Sequence, residues 1–199
     1  MNKDNNHVYS ILIRNLWLTY AGKTFLLFVF SIFYTSGLAQ KYKSQSGSIT
    51  FFSSATIEDI TATTVKSGSV IDLSKRQIVF SVPINTFEFD KSLMKEHFNE
   101  KYMESEKFPK AVYSGTFSGF DPSIKGKQNA SSNGSLTIHG VKKQVKLSGT
   151  LEMNDDTMWL ESTFIVKLED YEVKIPKVLW QNIAEQVEVT VKFQYVKYE

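Results

Sequence analysis

Alternation of apolar and polar side chains at a period of two is the feature that most constrains what this chain can fold into. Val145, Leu147, Leu151 and Met153 share one face with Gly149, while Lys146, Ser148, Thr150 and Glu152 share the other. Such a pattern is a strand with one buried side and one wet side. Asn154-Asp155-Asp156 is a turn cluster, after which Met158, Leu160, Phe164, Val166 and Leu168 alternate with Trp159, Glu161, Thr163 and Lys167. These two runs predict a hairpin. The same pattern recurs in Val187, Val189, Val191, Phe193 and Tyr195, in Ile78, Phe80, Val82 and Ile84, and in Ala111, Tyr113 and Phe117. Short strands separated by turn signals predict an all-β barrel or sandwich.

One stretch reads as a helix. Asp90 is placed to act as its N-cap, and Leu93, Met94, His97, Phe98 and Tyr102 form one apolar stripe. Ser105 to Pro109 ends it, because the residue before a proline is pushed toward extended geometry. A shorter helical turn is expected around Val178 to Ala184. Asp121 to Gly134, DPSIKGKQNASSNG, reads as a long surface loop closing on an Asn133-Gly134 turn. Its two glycosylation-acceptor strings arise easily by chance in such a composition.

The N-terminus carries processing information. Lys3, Arg14 and Lys23 precede the apolar run FLLFVFSIFYTSGL at Phe25 to Leu38, and Gly37 and Ala39 supply the small residues a signal peptidase needs. Residues 1–39 are therefore expected to be a cleaved signal peptide and residues 40–199 one exported domain, periplasmic or secreted, with no stable membrane insertion after cleavage. Arg14 and Lys23 argue against one continuous span, since charge at bilayer depth is costly. The chain has no cysteine, so stability must come from packing and strand pairing rather than from disulfides.

Charge and chemistry narrow the function classes. A formal net charge of +2 gives no electrostatic footprint for nucleic acid. No HExxH, GxSxG or CxxC spacing occurs, and His97 and His139 are the histidines left after the leader. An enzyme would need both to converge with a carboxylate. The acid pairs Glu58-Asp59, Asp155-Asp156 and Glu169-Asp170 point to opposite faces if placed in strands, which is poor geometry for shared acid-base work. No catalytic residue, metal site or cofactor is expected. Lys142, Lys143 and Lys146 form the densest basic patch, read either as a solvated hairpin or as a contact for a phosphate headgroup.

Aromatic side chains pose a sharper question. The rings of a β-domain either fill a packed barrel or line a hollow one that holds something apolar, and periodicity alone does not separate the two.

The residues by themselves favour the packed core, and two segments carry a resemblance that points to the hollow one. KEHFNEKYMESEKFP, Lys95 to Pro109, places His97 on a helix and closes with Phe108-Pro109, and GSLTIHGVKKQV supplies Leu136, Ile138, His139, Gly140, Val141 and Val145. Both resemble the YceI-like family, over about Gly47 to Tyr198. The chain departs from the family's Arg-x-Asp-Phe-Gly stretch, carrying LEDYEVKIP at Leu168 to Pro176. The resemblance implies a lipocalin-like antiparallel β-barrel with one short flanking helix, holding an isoprenoid or similar long-chain lipid. Phe80, Phe98, Tyr102, Tyr113, Phe117, Trp159 and Phe164 are the expected cavity lining. The rival expectation is a structural or stress-linked envelope protein whose barrel is packed and takes no ligand.

Overall fold

The computed structural model describes residues 40–54, 59–175 and 184–198. The expected leader and the expected helical turn near Val178 lie outside those residues, save for Ala184. The described chain is mostly antiparallel strand: β1 (Lys41–Ser53), β2 (Ile60–Thr64), β3 (Gly68–Asp72), β4 (Gln77–Pro83), β5 (Glu88–Phe89), β6 (Lys110–Ser118), β7 (Gly126–Ile138), β8 (Val141–Asn154), β9 (Thr157–Lys167) and β10 (Gln186–Lys197). Neighbours run β10-β9-β8-β7-β6-β4-β3-β1, and β10 pairs again with β1, so eight strands close a barrel. The long β1 changes partner along its length: Lys41–Lys43 pairs with β3, whereas Ile49–Ser53 pairs with β2, which carries β5 as a further short strand.

The interior is solid at one end and hollow at the other. Around the end where Tyr42 lies opposite Ile71, the side chains of Ile71, Met158, Phe193 and Tyr195 are at most 1% exposed. The Tyr195 hydroxyl donates to Ser69 Oγ at 2.7 Å, and Ser69 Oγ in turn donates to the Val79 carbonyl at 2.9 Å. Burial pushes the Tyr195 phenol far above its ordinary value, so it stays a neutral donor.

Three sequence expectations are corrected. Asp90 does not cap the helix; α1 (Ser92–His97) begins after Lys91, whose side chain makes no capping bond, and passes into a π-helical turn, Phe98–Tyr102. Packing of the Phe98 ring against three other aromatic rings, rather than a side-chain cap, holds it. The long loop is in fact short: the chain turns at Pro122–Ser123 and β7 begins at Gly126, so Asn129 to Gly134 is strand. Those small residues face bulk on β6, since Ser132 lies opposite Phe117 and its Oγ is 2.6 Å from the Tyr113 hydroxyl. Gly134 lies opposite Gly115, and a Cβ on it would run into the Ser114 carbonyl. The third correction concerns Trp159 and belongs to the site below.

The β3–β4 hairpin supplies an acid-sensitive element. Asp72 Oδ1 accepts from the Lys75 amide at 2.9 Å and from Ser74 Oγ at 2.8 Å. The Lys75 amide, then the Ser74 hydroxyl, hold this carboxyl below the usual carboxylate range, helped by the charges of Lys75 and Lys41. A folded pKa below the unfolded one means that the contribution to stability is present above the unfolded value, about 3.9, and lost as pH falls through the folded one. Asp72→Asn should therefore show a shallower loss of melting temperature below about pH 4 than the parent chain, measured by thermal denaturation across a pH series.

Candidate functional site

The hollow half of the barrel is a cavity of about 510 Å³. Inward positions of the strands build it directly from the alternation: Ile78, Phe80 and Val82 on β4, Tyr113 and Phe117 on β6, Leu151 on β8, Leu160 and Phe164 on β9, and Val187, Val189 and Val191 on β10. Its volume falls in the range of ligand-holding pockets, roughly 300–1,000 Å³. Phe80 forms its floor, packed edge-on against Phe193 at 5.4 Å and tilted against Tyr113 at 6.3 Å.

The end of the cavity is closed by α1 and the π-helical turn. Phe98 docks into a box of three rings from the neighbouring strands and turn, stacked on Phe51 at 5.4 Å and within 5.7 Å of Phe87 and 5.1 Å of Phe89. Lys95 Nζ reaches both carboxylate oxygens of Glu88 at 2.8 Å on the outside. Leu93, Met94, His97, Tyr102 and Met103 complete the closure.

The wall is thin where β7, β8 and β9 run side by side. Ala130 lies opposite Gly149, and Gly149 lies opposite Ser162, so the cavity reaches bare backbone across three adjacent strands. Ser162 Oγ donates to the Ser148 carbonyl at 2.7 Å. The Tyr113 hydroxyl lies 2.6 Å from Ser132 Oγ, which donates to the Thr116 carbonyl at 3.2 Å. Polar groups in the depth of the cavity are thus engaged with the wall. At its closed end the His97 ring and the Tyr102 hydroxyl make no hydrogen bond among the described residues, and burial raises the Tyr102 phenol above its ordinary value.

Six of the seven expected lining residues, Phe80, Phe98, Tyr102, Tyr113, Phe117 and Phe164, border this one cavity. Trp159 does not. It is 46% exposed on the outer face of β9, between the inward Met158 and Leu160. The same alternation that built the strand put Trp159 beside Glu161 and Thr163, and strand parity prevails over aromatic bulk. Trp159→Ala should leave affinity for an apolar probe within about twofold and cost about 1 kcal/mol or less in stability, measured by fluorescence titration and denaturant melts. What aromatic content missed was the aliphatic wall, which inward parity alone identifies.

The two histidines stand in different settings. His97 borders the cavity, whereas His139 sits in the β7–β8 turn with φ +50°. Its Nδ1 is 3.2 Å from the Tyr171 carbonyl and its Nε2 is 2.9 Å from Glu104. Phe108 packs edge-on against its ring at 4.5 Å. Among the described residues no group of three or more His, Cys, Asp or Glu side chains could hold a metal ion, and no helix is long and apolar enough to cross a membrane.

Comparison with solved structures places this arrangement among known barrels. A polyisoprenoid binding domain from Saccharophagus degradans superposes with a TM-score of 0.68 at 12% identity, covering 79% of this chain and 98% of that one. BcnA of Burkholderia cenocepacia superposes at 0.61 with 16% identity, over 74% of this chain and 95% of that one. A YCEI protein of Campylobacter jejuni gives 0.52 at 13% identity, over 65% and 78%. At these identities the likeness is one of fold. No curated protein sequence matches the chain. The profile of the YceI-like domain matches residues 30–195, from before the first strand into the last, and the chain belongs to the YceI-like family.

Proposed function

We propose that this protein is an exported, non-catalytic carrier that holds an isoprenoid or another long apolar ligand inside its barrel. The observation that carries the reading is the cavity: about 510 Å³, walled by aliphatic and aromatic side chains, with its deep hydroxyls already bonded to the wall. A ligand there gains from desolvation and little from hydrogen bonding, at about 0.8 kcal/mol for each methylene buried. The likeness to a polyisoprenoid binding domain supports the ligand class. The apolar run at Phe25 to Leu38 with Gly37 and Ala39 supports export.

A purely structural barrel accounts for the packed base but leaves the hollow half without an occupant. Native mass spectrometry of protein purified from its own host decides between them. The carrier reading expects an adduct of long-chain lipid mass that detaches on activation. Protein that arrives empty and shows no rise in melting temperature with added prenyl lipid overturns it.

A further inference from the structure

The ladder between β8 and β9 stops halfway up the barrel. Gly149–Asn154 pairs with Thr157–Ser162, but above that point Val141–Ser148 pairs with β7 alone and Thr163–Lys167 with β10 alone. The wall is open there at the level of the cavity. What fills the opening is the chain that follows β9, whose Glu169–Tyr171 turn touches both strands. Tyr171 and Val173, 4% and 7% exposed, project into the cavity and form part of its lining.

Among the described residues few bonds hold this segment, and they sit at its margins. On the β8 side the His139 ring spans from Glu104 at 2.9 Å to the Tyr171 carbonyl at 3.2 Å, and Lys143 Nζ stands 3.9 Å from Asp170. On the β10 side the Leu168 amide donates to the Glu185 carbonyl at 3.0 Å. The segment closes on itself through the Val173 amide and the Leu168 carbonyl, 3.2 Å apart, with Glu172 at φ +55°. Moving it aside breaks no strand pairing among the described residues. Opening the helical end instead requires pulling Phe98 out of its three-ring box and breaking the Lys95–Glu88 pair.

We propose that Leu168–Val173 is a shutter, and that the gap between β8 and β9 is the doorway through which a long apolar ligand passes sideways into the barrel. The proposal rests on the carrier reading above and adds its route. His139 is the clasp, a positioning residue that fastens the shutter to the β7–β8 turn and to Glu104.

The chain has no cysteine, so introduced pairs are unique. Lys143→Cys with Asp170→Cys, bridged by a short bis-maleimide, fastens the shutter; Glu88→Cys with Lys95→Cys, bridged the same way, fastens the helix. Uptake and release of a fluorescent polyene fatty acid are followed by stopped flow. The shutter bridge should slow both rates by about tenfold or more with affinity unchanged within about twofold, while the helix bridge leaves the rates within about twofold. His139→Asn, which tolerates the left-handed turn but does not reach Glu104, should speed both rates several-fold at unchanged affinity. Rates unaffected by the shutter bridge, or slowed by the helix bridge alone, overturn the doorway and leave the carrier intact. Failure of the unbridged protein to take up the probe overturns the carrier and the doorway together.

Discussion

With Ala130 and Ser162 both replaced by phenylalanine, the protein should fold and no longer hold a long apolar ligand. The two positions flank Gly149 in the band where β7, β8 and β9 expose backbone to the cavity, so each new ring enters open space rather than a packed neighbour. Rings there remove room for three or four methylenes, about 3 kcal/mol of transfer free energy and so about a 100-fold loss of affinity for a polyene fatty acid. Stability of the empty protein should fall by only about 1–2 kcal/mol, most of it from the lost Ser162 to Ser148 hydrogen bond and local crowding. The measurement is a pair of curves, fluorescence titration and denaturant melt, on the parent and the double variant. Full affinity in the double variant would place the ligand outside the barrel.

The opposite end of the interior answers to a different substitution. Tyr195 is wholly buried, and its ring packs against Phe193 with centroids 6.0 Å apart. Tyr195→Ala should cost about 3–5 kcal/mol, because neighbours in a closed barrel cannot collapse into the space. Tyr195→Phe keeps the ring and removes only the donor to Ser69, whose own hydroxyl still reaches the Val79 carbonyl, so its cost should be about 1 kcal/mol. Chemical denaturation of the two variants separates packing from hydrogen bonding at one site. Equal losses would mean that the hydroxyl, not the ring, organises the base.

Much of this architecture was legible because a closed barrel leaves each inward position few choices. Val187 to Tyr195 and Met158 to Val166 alternate as the finished strands do, and the turn between β8 and β9 falls on Asp155-Asp156, with Asp155 at φ +52°. Composition failed where a strand is built from turn-forming residues. Asn129 to Gly134 is strand because β8 pairs with all of it, β6 pairs with Ser131 to Gly134, and Phe117 stands opposite the small Ser132, conditions that no local window contains. Six of the seven expected aromatic residues border the cavity, and the seventh, Trp159, lies outside because strand parity rather than side-chain bulk sets the face a residue takes. The ladder break between β8 and β9 left no local mark, since Val145 and Leu147 alternate as well unpaired as paired. Glu172 is a partial exception: it stands in left-handed backbone, which favours glycine, inside the LEDYEVKIP stretch that sets this chain apart in sequence.

The first and last strands of the barrel finish side by side. Tyr42 lies opposite Lys197, and the Tyr198 amide donates to the Lys41 carbonyl at 2.9 Å, next to the solid base and far along the strands from the helix and the shutter. Anything joined to either end of the folded domain, whether an affinity handle or a bead, would hang from the floor of the vessel. Immobilised in that way, the barrel would present the helix and the Leu168–Val173 segment to the solution, and the lipid uptake proposed above would meet no obstruction from the support.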